Sequence, residues 1–230
     1  MTHTTFQAAI IDLDGTLVDT LGDFVVVLQH TLADMGCHSI ERARVDRDFI
    51  EQTIGKGSED LLCRCLAHAW GLPDDAPEAV AAVPEAWQHY QAHYSRLNGQ
   101  HADVFPGVLA GLQRLKDHGM TLACLTNKPT LLAEQLLEAK GLRGFFSHVF
   151  GGDAFERKKP DPLPLIKTCE ALGSTPAQTL MVGDSSNDAQ AAQAAGCPVV
   201  LVTYGYNHGH PIGEVPARAH IDRLDQIDLS

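Results

Sequence analysis

Apolar positions along the chain follow two rhythms, and the change of rhythm divides it. Residues 8–11 are an unbroken apolar run, Ala-Ala-Ile-Ile, the pattern of a strand buried on both faces of a parallel sheet. The run ends in Asp12-Leu13-Asp14-Gly15, where Asp-Gly signals a turn. From Leu21 the spacing becomes helical: Leu21, Phe24, Val25, Leu28, Leu32 and Met35 recur, Asp19-Thr20 offers an N-cap and Gly36 a stop. A second helical stretch is predicted near 45–54 and is interrupted by Gly55-Lys56-Gly57. Ser58 caps a third with Leu61, Leu62, Cys65 and Leu66, and residues 77–97 make a fourth with Val80, Val83, Trp87 and Tyr94 on its apolar face. No strand pattern appears between about 20 and 97, a helical block of roughly eighty residues, enough for a small domain.

The rest alternates. A helix opened by Pro106 carries Val108, Leu109, Leu112 and Leu115 and stops at Gly119. Strands are predicted at 120–125, 145–150, 179–182 and 198–202, with an edge strand at His220-Ile221, and helices at 131–139, 162–172 and 189–195. Such alternation predicts an α/β fold, a parallel sheet with helices on both faces. The strand at 8–13 belongs to that sheet, so the helical block is an insertion just after it. The expected division is a core of 1–18 and 99–230 and a helical insert of 19–98, joined near 18–20 and 98–100.

Composition narrows the function. The 230 residues are 44% hydrophobic, sufficient for a sizeable core. Lys and Arg number 17 against 29 Asp and Glu, a net charge of -12, which argues against nucleic-acid binding through phosphate neutralisation. A small phosphorylated ligand needs only a few local cations and stays open. The six cysteines form no CxxC pair, and Cys63 and Cys65 are too close for a zinc knuckle. With no basic-then-apolar leader and no apolar run of membrane-spanning length, a cytoplasmic location without membrane contact is expected. A monomer and a homodimer are equally open.

The chemistry collects where strands end. In an open parallel sheet, ligands bind beyond the carboxyl ends of the strands. Three predicted ends carry polar groups: Asp12 with Asp14, Thr126, and Asp184. Residues two apart on a strand face one side, so Asp12 and Asp14 converge, and their repulsion favours a cation or a proton between them. Asp184, with Asp188 four residues on, completes an oxygen-only pocket that suits Mg²⁺ rather than zinc. Thr126 offers a hydroxyl, and its neighbours backbone N–H groups, to a phosphate at a helix start. Arg157-Lys158-Lys159-Pro160 is a dense cationic run placed to neutralise a phosphate and Asp12 together. His208 and His210 read as exposed loop residues, and His89 and His93, four apart on a helix, lack the Glu of an HExxH zinc motif.

Asp12-Leu13-Asp14-Gly15-Thr16, Thr126-Asn127-Lys128, Lys159-Pro160 and Gly183-Asp184 with Asp188 stand in an order and spacing that resembles the haloacid dehalogenase superfamily. Ile54-Gly55-Lys56-Gly57-Ser58 and the stretch from Val182 to Gly209 are similar to its bacterial phosphoglycolate phosphatases. The resemblance implies a Rossmann-like core with an inserted all-α cap of the C1 type. It implies a Mg²⁺-dependent phosphatase for a small phosphate monoester, 2-phosphoglycolate foremost. The alternative is a phosphosugar phosphatase or phosphosugar mutase of the same superfamily. By resemblance Asp12 is the nucleophile and Asp14 the general acid and base. Thr126, Asn127 and Lys159 hold phosphate. Asp12, the Asp14 carbonyl and Asp184 hold the metal, with Asp188 a further ligand or orienting group. In the cap, Gly55, Lys56 and Gly57 are expected to read the substrate, Lys56 meeting its carboxylate.

Overall fold

The computed structural model describes residues 6–229; the first five residues of the expected core, and Ser230, lie outside them. Its elements run β1 (Ala8–Ile11), β2 (Val18–Asp19), α1 (Leu21–Asp34), α2 (Ser39–Arg44), α3 (Arg47–Thr53), α4 (Ser58–Trp70), α5 (Pro77–Leu97), β3 (Asp103–Val104), α6 (Val108–Asp117), β4 (Thr121–Leu125), α7 (Thr130–Ala139), β5 (His148–Phe150), α8 (Leu163–Leu172), β6 (Thr179–Gly183), α9 (Ser186–Ala195), β7 (Val199–Val202) and β8 (Ala219–Ile221).

Six strands form one parallel sheet in the order β5-β4-β1-β6-β7-β8, with β1 in the middle. Side chains alternate across a strand, and β1 shows the consequence. Ala9 and Ile11 join one apolar cluster with Val108, Leu112 and Leu115 of α6 and Ala133, Leu136 and Leu137 of α7. Ile10 faces the other way, into a cluster with Leu165 of α8 and Ala189, Ala191 and Ala192 of α9. A strand with both faces covered by helices has no polar side to spare, which is why β1 reads as continuously apolar.

Helices α1 to α5 bury a third cluster that includes Leu28, Leu32, Ile50, Leu62, Leu66, Tyr90 and Tyr94. No strand lies among them. The two connections to the sheet run side by side, because β2 and β3 pair antiparallel, Val18 opposite Val104. The buried Asp23 carboxylate ties the junction, accepting hydrogen bonds from Gly99 N at 2.6 Å and His101 N at 2.7 Å. Among the described residues no helix is long and apolar enough to cross a membrane.

Local outcomes differ from the sequence pattern in a few places. The helix expected near 45–54 is α3, started by Asp46, which accepts from Phe49 N at 2.9 Å; the short α2 precedes it and buries no residue, so no apolar rhythm announces it. The strand expected at 145–150 is cut to its last three residues by a 3₁₀ turn at Arg143–Phe145. Thr20 does not cap α1 with its side chain; Asp19 Oδ1 accepts from Leu21 N instead, at 3.2 Å. Pro84 sits inside α5 without ending it, on an exposed face where water can satisfy the freed carbonyl.

Candidate active site

The ends of β1, β4 and β6 converge on one cavity of about 40 Å³, lined by Asp12, Asp14, Thr126, Asn127, Lys159, Asp184 and Asp188 from the sheet edge. The helical layer closes it with Phe24, Ile54, Gly55, Gly57 and Leu61. Seven of the polar residues singled out in the sequence thus meet in one place.

Three carboxylates meet at its floor. Oxygens of Asp12, Asp184 and Asp188 all lie within 4.8 Å of one another. The three are buried, and their electrostatics show the strain of that arrangement. Burial pushes the Asp12 carboxyl up to about 7, with Asp188 adding to the rise and Lys159 opposing it. Burial, then repulsion from Asp12 and Asp188, holds Asp184 well above the usual carboxylate range. Asp12 Oδ1 accepts no well-aligned hydrogen bond, though the Lys159 ammonium lies 2.9 Å away. An oxygen-only cluster with spare negative charge and an unbonded buried oxygen suits a hard divalent cation.

Each acid is held by its own partners. Asp184 accepts from Thr16 Oγ1 at 2.9 Å and from Tyr206 N at 2.7 Å. Gly15, at φ 83°, lets the chain turn close against it; a Cβ there would overlap Asp184 Oδ2. Asp188 Oδ2 accepts from Ser185 Oγ at 2.7 Å and from Ser185 N and Asp184 N, which closes the start of α9 as a capping box.

Lys159, and not the exposed Lys158, is the buried cation beside Asp12. Its ammonium donates to Asp188 Oδ1 at 2.7 Å and to the Leu125 carbonyl at 2.9 Å. Burial alone would lower its pKa; Asp12 and Asp188 outweigh that and raise it. Thr126 is buried at the end of β4, its Oγ1 accepting from Lys128 N at 3.2 Å. Asn127 lies at the cavity, but its amide donates to the carbonyls of Gly55 (3.1 Å) and Lys159 (2.9 Å), so its side chain ties two loops together.

Lys56 stands apart from these residues. It is exposed and lines a separate recess with Gln52, Asp60, Arg64, His208 and His210, while Gly55 and Gly57 on either side line the cavity between the layers. The backbone explains the split. Gly55 has φ 124°, and its carbonyl points inward to accept from Asn127 and, at 3.1 Å, from Asn187, which leaves the next side chain directed outward. His208 is not a free loop residue: its ring packs where a Gly55 side chain would stand, and burial lowers its pKa.

Lys128 is the group that sequence patterning missed. Its side chain is 2% exposed and bonds Asp14 Oδ1 at 3.1 Å and the Tyr94 hydroxyl at 2.5 Å. The signal was present in Thr126-Asn127-Lys128, but its partner Tyr94 comes from α5 and reads as an ordinary core aromatic.

Residues 9–202 match the haloacid dehalogenase-like hydrolase family. The phosphoglycolate phosphatase of Thiobacillus denitrificans is 40% identical over 225 residues, 97% of this chain and 94% of that protein. A plasmid-borne phosphoglycolate phosphatase of Cupriavidus necator is 41% identical over 221 residues, 96% of this chain and 90% of that one. Among solved structures, a predicted phosphoglycolate phosphatase from Haemophilus somnus 129pt superposes with a TM-score of 0.86 at 30% identity, covering 96% of both chains.

Proposed function

The chain belongs to the haloacid dehalogenase-like hydrolase family, and from that premise we propose that it hydrolyses a small phosphate monoester, 2-phosphoglycolate foremost, to the alcohol and phosphate. The observation that carries this reading is the pairing at the end of β1: Asp12 beside the Lys159 ammonium and Asp14 beside the Lys128 ammonium, both acids lining one cavity.

Asp12 attacks phosphorus. The bond to the leaving oxygen breaks as Asp14 gives that oxygen a proton, and an aspartyl-phosphate remains. Asp14 then takes a proton from water as the water attacks phosphorus, and Asp12 is released with phosphate. Lys159 and Thr126, with backbone N–H groups at the start of α7, hold the phosphoryl oxygens. Asp12, the Asp14 carbonyl and Asp184 would hold Mg²⁺, and Asp188 keeps Lys159 and the start of α9 in place behind them. When bound, that cation offsets the repulsion between an anionic nucleophile and an anionic ester.

Residues 19–98 act as a cap over the core of 1–18 and 99–230. Movement of helices α1 to α5 on the paired β2–β3 connections would admit substrate, and their closing over it would exclude water.

The test is turnover of 2-phosphoglycolate, hexose and pentose phosphates and p-nitrophenyl phosphate, with Mg²⁺ and with EDTA. Mg²⁺-dependent release of phosphate with phosphoglycolate preferred supports the reading. Absence of phosphate release from every ester, or full activity in EDTA, overturns it.

A further inference from the structure

A phospho-acid substrate has two anionic ends, and only its phosphate is accounted for by Lys159. We propose that Lys128 reads the second end: it binds the carboxylate of the leaving alcohol and restricts the enzyme to short phosphorylated carboxylic acids. The proposal rests on the phosphatase reading above and names a residue within it.

Four observations support it. First, the cations that line the cavity between the layers are Lys128 and Lys159, while Lys56 lines the outer recess. Second, Lys159 is committed to the phosphoryl side, held between Asp12, Asp188 and the Leu125 carbonyl. Third, Lys128 stands on the leaving-group side, because it touches Asp14, the acid that must protonate the departing oxygen. Asp12 and Asp14 lie two positions apart and both line the cavity, so Lys159 and Lys128 flank it, one beside each acid. The carboxyl carbon of a two-carbon phospho-acid is three bonds from phosphorus, so its two charged ends are close neighbours. Fourth, the ammonium has a donor to offer. Of its three N–H groups, the Tyr94 hydroxyl takes one, and the two Asp14 oxygens are met at 3.1 Å and 3.5 Å, the longer contact being the weak one that a second carboxylate can replace.

The walls sharpen the selection. Lys128 Nζ lies 4.9 Å from the Phe24 ring centroid and 4.4 Å from that of Tyr94. Aromatic faces stabilise the ammonium without competing as anions, and they exclude the water that would screen it from a carboxylate. An uncharged leaving group gains nothing from this corner, and a cationic one is repelled.

The experiment compares three esters of one size, 2-phosphoglycolate, 2-hydroxyethyl phosphate and 2-aminoethyl phosphate, in the full-length wild type and in Lys128→Met, which keeps length and removes charge. The wild type should rank them in that order. Lys128→Met should lower the ratio of kcat/KM for phosphoglycolate over hydroxyethyl phosphate at least about tenfold and raise the relative rate on aminoethyl phosphate. Lys56→Ala should leave the ratio unchanged. Equal losses on all three esters in Lys128→Met would overturn the proposal and reduce Lys128 to a positioner of Asp14. Should Lys128→Met not fold, the wild-type ranking decides: less than threefold between the anionic and cationic leaving groups overturns it. Failure of the phosphatase reading looks different, since the wild type would then release phosphate from none of the three.

Discussion

Replacing Lys159 by Met tests the electrostatic core of the site. The wild-type ammonium contacts Asp12 Oδ1 at 2.9 Å, Asp188 Oδ1 at 2.7 Å and the Leu125 carbonyl at 2.9 Å, and its side chain is 2% exposed. Methionine fills similar volume and leaves all three oxygens without that donor. Three carboxylates within 4.8 Å then share no buried positive charge. Breaking a buried pair by removing one partner costs about 3–5 kcal/mol, a large share of the roughly 5–15 kcal/mol that holds a typical protein folded. Urea unfolding in EDTA should show that loss. Mg²⁺ should recover more stability in the variant than in the wild type, because the cation no longer competes with an ammonium for the same acids. Adding Asp188→Asn should restore part of the loss, giving a coupling energy above about 1 kcal/mol for this contacting pair. On catalysis, loss of one preorganised charge should cost roughly 3–4 kcal/mol, two to three orders of magnitude in kcat/KM. Lys158→Ala, at an exposed position, should change stability by less than about 0.5 kcal/mol. A Lys159→Met protein as stable as wild type, or a larger effect at Lys158, would refute the assignment of the buried cation.

Asp12→Asn should abolish turnover yet fold, and in EDTA it should be at least as stable as the wild type, since it removes a buried charge; a tenth of wild-type activity would exclude a covalent intermediate on this residue. In EDTA, wild-type stability should fall as pH rises from 5 to 8. The folded Asp12 carboxyl keeps its proton to about 7 against 3.8 unfolded, so the stability it contributes is complete below about 4 and lost through about 7, a total near 4 kcal/mol. Saturating Mg²⁺ should flatten that slope, and a stability that rises over the same window in EDTA would contradict it. Gly15→Ala should lose most activity and more than about 1 kcal/mol of stability, because φ 83° and the overlap with Asp184 both penalise a side chain; wild-type kinetics would show that the turn can relax.

What the sequence made legible follows from range. The apolar run of β1 and the carboxylates just beyond it are local facts, so the sheet, its helices on both faces and the convergence of Asp12, Asp14, Thr126 and Asp184 could be read along the chain. Lys159 was separable from Lys158 through the family resemblance, which sets it against Pro160, and the structure buries the one and exposes the other. The two-residue strands β2 and β3 carry no periodic signal; they exist because the chain must leave and re-enter the sheet at one point. Lys56 and Lys128 show the limit most clearly. Both are lysines in polar turns, and their burial depends on partners elsewhere: Tyr94 and the Phe24 ring for Lys128, the inward Gly55 carbonyl for Lys56. Nothing local says which lysine the helical layer covers.

The two buried lysines also divide the work between layers. Lys159 takes its partners from the sheet edge alone, Asp12, Asp188 and the Leu125 carbonyl. Lys128 is shared, bonded to Asp14 at the end of β1 and to Tyr94 on α5. The Gly55 carbonyl is shared in the opposite sense, a helical-layer acceptor held by Asn127 and Asn187 of the core. These bonds stand beside others across the seam: the Tyr206 hydroxyl with Asp19 and Leu21 N, Asn98 with the Leu132 carbonyl, and Asp23 with Gly99 and His101. In the proposed roles, the phosphoryl side of the cavity would be complete in the core whatever the helices do. The leaving-group side would be complete only when the layers meet, so recognition of the alcohol and exclusion of water would arise from the same contact.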